Sequence, residues 1–334
     1  MIDQAIELLK SKKDLDFKQM LEAMRQIMSG QVKTEDIVLF LSSLRDKGET
    51  VEELSAAVDV MRSYVCRVKT GDDIILDTCG TGGDASGTFN ISTAASIVVS
   101  ACGVKVAKHG NRSVSSKSGS ADVLEALGIN INISAIDACR CLEQIGIVFL
   151  FAPNFHPAMK HAMPARKAIG TKTIFNLMGP LSNPAFARHQ IIGVYDKKWL
   201  IPVADVLKKL GSVHALVMYS EDGLDEASIC GKTFIAELID GQIKTYQVCA
   251  QDFGMPAAKR EDILGRDALD NAVIILEILQ GKHSPKRDIV VLNAACGLYA
   301  ANKVSSIKDG VELAKSSIDS GQAMDKFNAL KRFH

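Results

Sequence analysis

Ile74-Ile-Leu-Asp-Thr-Cys-Gly-Thr-Gly-Gly-Asp84 is the stretch on which the fold turns. Its first three residues form an apolar run short enough for a buried strand, and Gly80, Gly82 and Gly83 behind it mark a tight loop. An Ala/Ser-rich segment from about Ser92 to Cys102 then reads as a helix. Strand, loop and helix recur downstream. Val104-Lys-Val-Ala107, Ile147-Val-Phe-Leu-Phe151, Ile191-Ile-Gly-Val194 and Val213-His-Ala-Leu-Val-Met218 are further strand candidates, and the helical stretches between them end at Gly128, Gly146 and Gly211. That alternation predicts an α/β fold with a mainly parallel sheet flanked by helices. Residues 233–248 read instead as two adjacent strands about Asp240-Gly241, a hairpin signal, so part of the sheet is expected to be antiparallel. From Asp267 onward the patterning is helical again.

Toward the N-terminus the strands disappear. Phe17, Met20, Leu21, Met24, Ile27 and Met28 recur at helical spacing before Gly30, a second helix runs from Asp36 to near Gly48, and Thr50-Val-Glu-Glu53 has the capping-box pattern. The expected division is a helical domain over residues 1–66 and an α/β domain over 72–334, with the segment at about 160–184 available to pack with the helical domain. A chain of 334 residues is long enough for such a pair. With 39 basic and 39 acidic residues the net charge is zero, so no global field draws nucleic acid or an anionic membrane toward it, and an anionic ligand must be held by local groups. Met1 to Lys10 carries acids where a secretory peptide needs bases, and no apolar run approaches the roughly 20 residues of a membrane span, which points to a cytoplasmic protein. Eight cysteines without a Cys-x-x-Cys pair read as reduced thiols, and Cys139 and Cys141 as packing residues.

Gly80-Thr-Gly-Gly-Asp-Ala85 matches G-x-G-x-x-A after a strand, a dinucleotide-binding pattern. Against that reading, the helix begins well after the last small residue, and Lys108 and His109 stand where the ribose-binding acid belongs. No Lys-Ser or Lys-Thr follows the glycines as in a Walker A loop. A plain turn and a phosphate cradle remain, because glycines let backbone N–H groups approach a ligand. Asn90-Ile-Ser-Thr93 offers three side chains that can cap the following helix, whose N-terminus suits phosphate. Lys108-His-Gly-Asn-Arg-Ser-Val-Ser-Ser116 supplies two cations, an amide and three hydroxyls with no acid, directly after a strand. Ser118-Gly-Ser-Ala-Asp122 leads on into a helix. Asp225-Glu226, in Gly223-Leu-Asp-Glu-Ala-Ser228, is either a solvated turn or a source of hard oxygen ligands for Mg²⁺. His156 follows an apolar strand, and Arg166 precedes the rigid Asn176-Leu-Met-Gly-Pro-Leu-Ser-Asn-Pro184, which could close an aromatic pocket.

In this order and spacing, Asp77 to Thr93, Lys108 to Gly128, His156 to Pro184 and Gly223 to Ser228 resemble the anthranilate phosphoribosyltransferases over nearly the whole chain. The resemblance implies the fold of the nucleoside phosphorylase and phosphoribosyltransferase type, and Mg²⁺-dependent transfer of phosphoribose from phosphoribosyl pyrophosphate to the amine of anthranilate in tryptophan biosynthesis. It implies that Gly80, Gly83, Asp84 and Thr88 line the phosphoribosyl pyrophosphate site, with Asn90, Ile91, Ser92 and Thr93, and Lys108, His109, Gly110, Asn111, Arg112, Ser113, Val114, Ser115 and Ser116, around its phosphates and Ser120 nearby. Ser92 and Glu226 would hold one Mg²⁺, and Asp225 and Glu226 a second. Asn111 and Arg166 would bind anthranilate, whose carboxylate matches the guanidinium fork, beside His156. A homodimer through the helical domain and hinge closure over substrate are further implications. Lys172, where the family commonly has Arg, keeps the charge without the fork. Two rivals stay in view. A pyrimidine nucleoside phosphorylase shares the architecture but needs neither the acidic pair nor an Arg for a carboxylate, and a non-catalytic nucleic-acid-binding relative would show a basic face.

Overall fold

The computed structural model describes residues 2–71, 73–83, 86–113 and 118–333. Seven strands form one sheet: β1 (Ile75–Thr78), β2 (Lys105–Gly110), β3 (Ile147–Phe151), β4 (His189–Gly193), β5 (His214–Ser220), β6 (Thr233–Ile239) and β7 (Gln242–Val248), in the spatial order β3-β2-β1-β4-β5-β6-β7. The first five are parallel, and the β6–β7 hairpin adds antiparallel to β5, turning at Asp240-Gly241 with both residues at positive φ. The chain leaves β1 toward β2 and β3, then returns to β4 on the other side of β1. The order therefore reverses between β1 and β4, and the connections after their carboxyl ends diverge to leave a crevice, the usual place for a ligand in such a sheet.

Alternation of side chains assigns each face of the sheet its own core. Ile191, Leu216 and Met218 face one hydrophobic cluster, shared with α5 (Ile91–Ala101) and the helix Pro285–Ala300. Their neighbours Ile192, Val194, Ala215 and Val217 face another. That second cluster holds the N-terminal helices α1 (Ile2–Lys10), α2 (Phe17–Met28), α3 (Thr34–Lys47) and α4 (Val51–Ser63) together with helices Met163–Ile169, Ile174–Leu181 and Leu200–Lys209. Arg45 donates to Thr171 Oγ1 at 2.7 Å and Arg62 to the carbonyl of Leu181 at 2.8 Å, so polar contacts join the same layers.

The bundle's starts are written locally. Asp16 with Gln19 and Thr50 with Glu53 form capping boxes that satisfy orphan N–H groups. Glu53, fully buried, also accepts from the backbone of Leu15 at 2.9 Å and from Lys47 at 2.8 Å. Two boundaries differ from the sequence reading. Lys108, His109 and Gly110 lie within β2 rather than after it, because pairing with Phe149, Leu150 and Phe151 of β3 continues the strand whatever the side-chain polarity. β1 likewise runs on through Asp77 and Thr78, which pair with Gln190 and Ile191. Among the described residues no helix is long and apolar enough to cross a membrane, and all eight cysteines are free thiols.

Candidate active site

At the carboxyl ends of β1 and β4, two loops touch. The glycine loop enters from Thr78, and Thr81 donates its N–H to the carbonyl of Gly193 at 2.8 Å while its hydroxyl accepts from Tyr195 at 3.0 Å. Gly82 and Gly83 take positive φ, which costs L side chains strain. The acidic loop 223–228 lies against this one so closely that a Cβ on Gly80 would sit 2.7 Å from Asp225 Oδ2, and one on Gly193 would run into the Asp225 backbone. Asp225 Oδ2 accepts the Gly82 N–H at 3.0 Å. The acidic loop is itself held rigid: Asn293 exchanges two hydrogen bonds with the backbone of Ala227 (2.8 and 2.9 Å), and Ser220 Oγ donates to the carbonyl of Glu226 at 2.6 Å.

Glu226 reaches the start of α5, where its Oε1 accepts the N–H of Ser92 at 3.2 Å, a favourable place for negative charge at a helix N-terminus. Asn90 is the N-cap residue, yet its side chain does not cap. It pairs instead with Ser118 (3.2 Å) and Asn271 (3.1 Å), tying α5 to two other segments. Lys108 is buried and points its ammonium to the same corner, donating to the Thr78 carbonyl (2.6 Å), Thr78 Oγ1 (3.3 Å) and Ser92 Oγ (3.2 Å). Behind it Asp77, wholly buried, accepts the His109 N–H at 3.0 Å, and burial pushes its carboxyl up to about 6. Thr78, Gly80, Ser92, Gly193, Asp225 and Glu226 thus line one small cavity, and the Lys108 ammonium is bonded to two of these residues, Thr78 and Ser92.

A second group of residues lies toward the helical bundle. The rings of His109 and His156 are 5.0 Å apart, both buried. Burial holds them neutral, His109 near a pKa of about 3 and His156 of about 4, and the Nε2 of each has no hydrogen-bond partner among the described residues. Arg166 is half-buried with its guanidinium 5.4 Å from the centre of the Phe175 ring and touching Met163 Sδ, and no carboxylate pairs with it among the described residues. Lys172 stacks its ammonium 4.0 Å over the Tyr195 ring, and a Cβ on Gly83 would stand 3.0 Å from its Cε, so this side chain lies against the glycine loop.

The structure therefore brings Gly80, Gly83, Ser92, Lys108, Asp225 and Glu226 together, with Ile91 and Thr93 on the same helix turn. Thr88 sits further out, bonded to Ser86 and bridged to Leu264. Arg112 points away: its guanidinium is held by Asp122 and Glu125 and lies over Phe151, while Asn111 Oδ1 accepts Arg112's own N–H. Gly110 packs on the Phe149 ring, and Ser113 and Ser120 flank Asp122 at the start of the next helix. Asp84, Val114, Ser115 and Ser116 lie outside the described residues. Sequence reasoning missed Asn293, Ser220 and Arg260, which fix the acidic loop through backbone contacts that leave no local motif.

The open sheet carries a crevice at its switch point and a helical bundle against one face, and comparison places a chain of this architecture among the glycosyltransferases. Residues 72–324 match the model for the glycosyl transferase family, a/b domain, and residues 3–65 that for the glycosyl transferase family, helical bundle domain. The anthranilate phosphoribosyltransferase of a Thermoanaerobacter species is 47% identical over 333 residues, covering 100% of this chain and 98% of that protein. Among solved structures, the Thermus thermophilus anthranilate phosphoribosyltransferase superposes with a TM-score of 0.93 at 37% identity, covering 98% of each chain. The Saccharomyces cerevisiae enzyme in complex with PRPP and Mg gives 0.91 at 28% identity, covering 98% of this chain and 96% of that one. Its complex with 4-fluoroanthranilate gives 0.88 at 26%, covering 99% and 98%. The chain belongs to the anthranilate phosphoribosyltransferase family of glycosyltransferases.

Proposed function

We propose that the chain transfers phosphoribose from phosphoribosyl pyrophosphate to the amine of anthranilate, releasing pyrophosphate, as a Mg²⁺-dependent step of tryptophan biosynthesis. The observation that carries the reading is the pairing of two anchored carboxylates, Asp225 and Glu226, against a glycine loop and a helix N-terminus, with Arg166, which meets no carboxylate among the described residues, on the bundle side. The yeast relative's complexes with PRPP and Mg and with 4-fluoroanthranilate support it.

Breaking the bond from ribose C1 to the pyrophosphate oxygen leaves positive charge on the sugar and negative charge on the leaving group. Lys108 and the backbone N–H groups of the glycine loop and α5 answer the second. Asp225, Glu226 and the Ser92 hydroxyl are all oxygen donors, the set Mg²⁺ prefers when phosphate completes its shell. In our assignment Ser92 and Glu226 would hold one ion, and Asp225 and Glu226 a second. Mg²⁺ bound there would neutralise charge developing on the departing pyrophosphate. Gly80, Gly83, Asp84 and Thr88 line the phosphoribosyl pyrophosphate site, with Asn90 to Thr93, Lys108 to Ser116 and Ser120 around it. Arg112 joins by exchanging its part-exposed pairing with Asp122 and Glu125 for phosphate, whose oxygens can accept the same guanidinium fork.

Anthranilate binds through Arg166 and Asn111. Its carboxylate neutralises a guanidinium that burial already holds below its ordinary pKa. The aryl amine is neutral at pH 7, so a new C1–N bond needs no protein nucleophile; orientation supplies much of the rate, and the amine's proton leaves to solvent. Residues 1–66 form a helical domain and 72–334 an α/β domain, and we place the enzyme in the cytoplasm as a homodimer. The test is consumption of anthranilate with phosphoribosyl pyrophosphate and Mg²⁺ supplied together or singly; turnover with either omitted would overturn the reading.

A further inference from the structure

Resting on that reading, we propose that Arg260 is a positioning residue that locks the acidic loop to the glycine loop and so sets the affinity for pyrophosphate-bearing substrate and its Mg²⁺. Arg260 stands on an exposed strap between β7 and the helix Ala268–Leu279, outside every motif of the sheet edge. Its guanidinium reaches both loops at once: Nη1 donates to the carbonyl of Asp222 at 2.9 Å and Nη2 to the carbonyl of Ser86 at 3.1 Å. Asp222 is three residues before Asp225, and Ser86 three after Gly83. No carboxylate pairs with Arg260 among the described residues.

The strap around it is anchored at each side of this contact. The Ala258 N–H bonds to the carbonyl of Ile229 at 3.0 Å, which fixes the strap to the exit of the acidic loop. The Gly265 N–H bonds to the carbonyl of Gly87 at 2.9 Å and Leu264 bridges Thr88, which fixes it to the far end of the glycine loop, and in the helix that follows Asn271 holds Asn90 at 3.1 Å. Arg260 is the point in the strap where one side chain spans both. A planar fork with several donors can satisfy two carbonyls on different loops in fixed geometry, whereas a backbone contact serves only one. Neither carbonyl carries a reacting atom, so the residue acts through Asp225, Glu226 and the loop amides.

The test compares wild type with Arg260→Ala and Arg260→Lys by steady-state kinetics and by thermal stabilisation on adding pyrophosphate with Mg²⁺. Arg260→Ala is expected to raise the KM for phosphoribosyl pyrophosphate and the Mg²⁺ midpoint about 5- to 20-fold, as for loss of charge-assisted hydrogen bonds, while the anthranilate KM stays within about twofold. Pyrophosphate with Mg²⁺ should stabilise the variant less than wild type, and Arg260→Lys should recover part of each effect. An unchanged Mg²⁺ midpoint and undiminished stabilisation would overturn the proposal, as would an equal rise in both substrates' KM. If wild type fails to consume anthranilate, the functional reading falls, and the stabilisation comparison still judges Arg260 by itself.

Discussion

Gly193→Ala is the substitution whose cost the structure sets most sharply. A Cβ there would stand 2.9 Å from the Cα of Asp225 and deeper still in its carbonyl group. Non-bonded carbons rest about 3.5–4.0 Å apart, so the Cα alone must retreat by roughly 0.6 Å and the carbonyl by more than about 1 Å. Rotating a side chain gives no relief, because the colliding atoms are backbone. Nor can the loop drift as a whole, since Ser220 pins it at the carbonyl of Glu226 and Asn293 at the backbone of Ala227. The displacement therefore passes to the Asp225 and Glu226 carboxylates. A misplacement of about 1 Å at a reacting centre costs about 10²-fold in rate, and overpacking adds about 1–3 kcal/mol of instability. Gly80→Ala meets only the rotatable Asp225 carboxylate and should lose about tenfold in rate, on the same scale. Gly71→Ala meets nothing within 4 Å and serves as control. Initial rates from the decay of anthranilate fluorescence, with a thermal melt of each variant, read both effects. A Gly193→Ala enzyme within about threefold of wild type in kcat/KM would refute the claim that this contact places the carboxylates.

Arg166→Ala should raise the anthranilate KM by about 10- to 100-fold, from about 1.5–3 kcal/mol for a hydrogen bond to a charged group, with the phosphoribosyl pyrophosphate KM little changed; an unaltered anthranilate KM removes Arg166 from the site. Stability should fall as pH drops from 7 to 5: His109 and His156 are neutral when folded, with pKa values of about 3 and about 4 against an ordinary 6.5, so only the unfolded chain takes up their protons in this window, while Asp77, raised to about 6, binds its proton when folded and offsets about 1 kcal/mol of the loss. Each histidine contributes about 2 kcal/mol to that loss, and His156→Asn should reduce it in urea unfolding at the two pH values; an identical pH dependence would contradict the assignment. Glu53→Ala leaves Lys47 with only its exposed partner Asp14 and two backbone N–H groups without their acceptor, so it should cost about 1–3 kcal/mol in urea unfolding, and a loss below about 0.5 kcal/mol would contradict this.

What was legible in the chain was what local chemistry dictates. The apolar run before Gly80, the alternation of strand and helix and the Thr50–Glu53 capping box each specify their element within a few residues, so sheet, hairpin and bundle could be read directly. The apolar pattern Val104-Lys-Val-Ala107 ends before Lys108 and His109, yet β3 pairs with their backbone and keeps them inside β2, a long-range effect that no local pattern carries. Asn90 looked like a cap because Asn commonly caps, but Ser118 and Asn271 compete successfully for its amide. Arg112 looked like a phosphate ligand from its neighbours in sequence, whereas its partners here are carboxylates one helix onward. Arg260 and Asn293 were invisible for a related reason: each works by reaching backbone carbonyls or amides that any residue would present.

The account's central claim is tested most directly by identifying products when the purified protein meets anthranilate, phosphoribosyl pyrophosphate and Mg²⁺. It predicts pyrophosphate and a phosphoribose joined to the anthranilate nitrogen in equal amounts, with neither formed when Mg²⁺ is chelated. Turnover of thymidine with inorganic phosphate, and no anthranilate product, would contradict it.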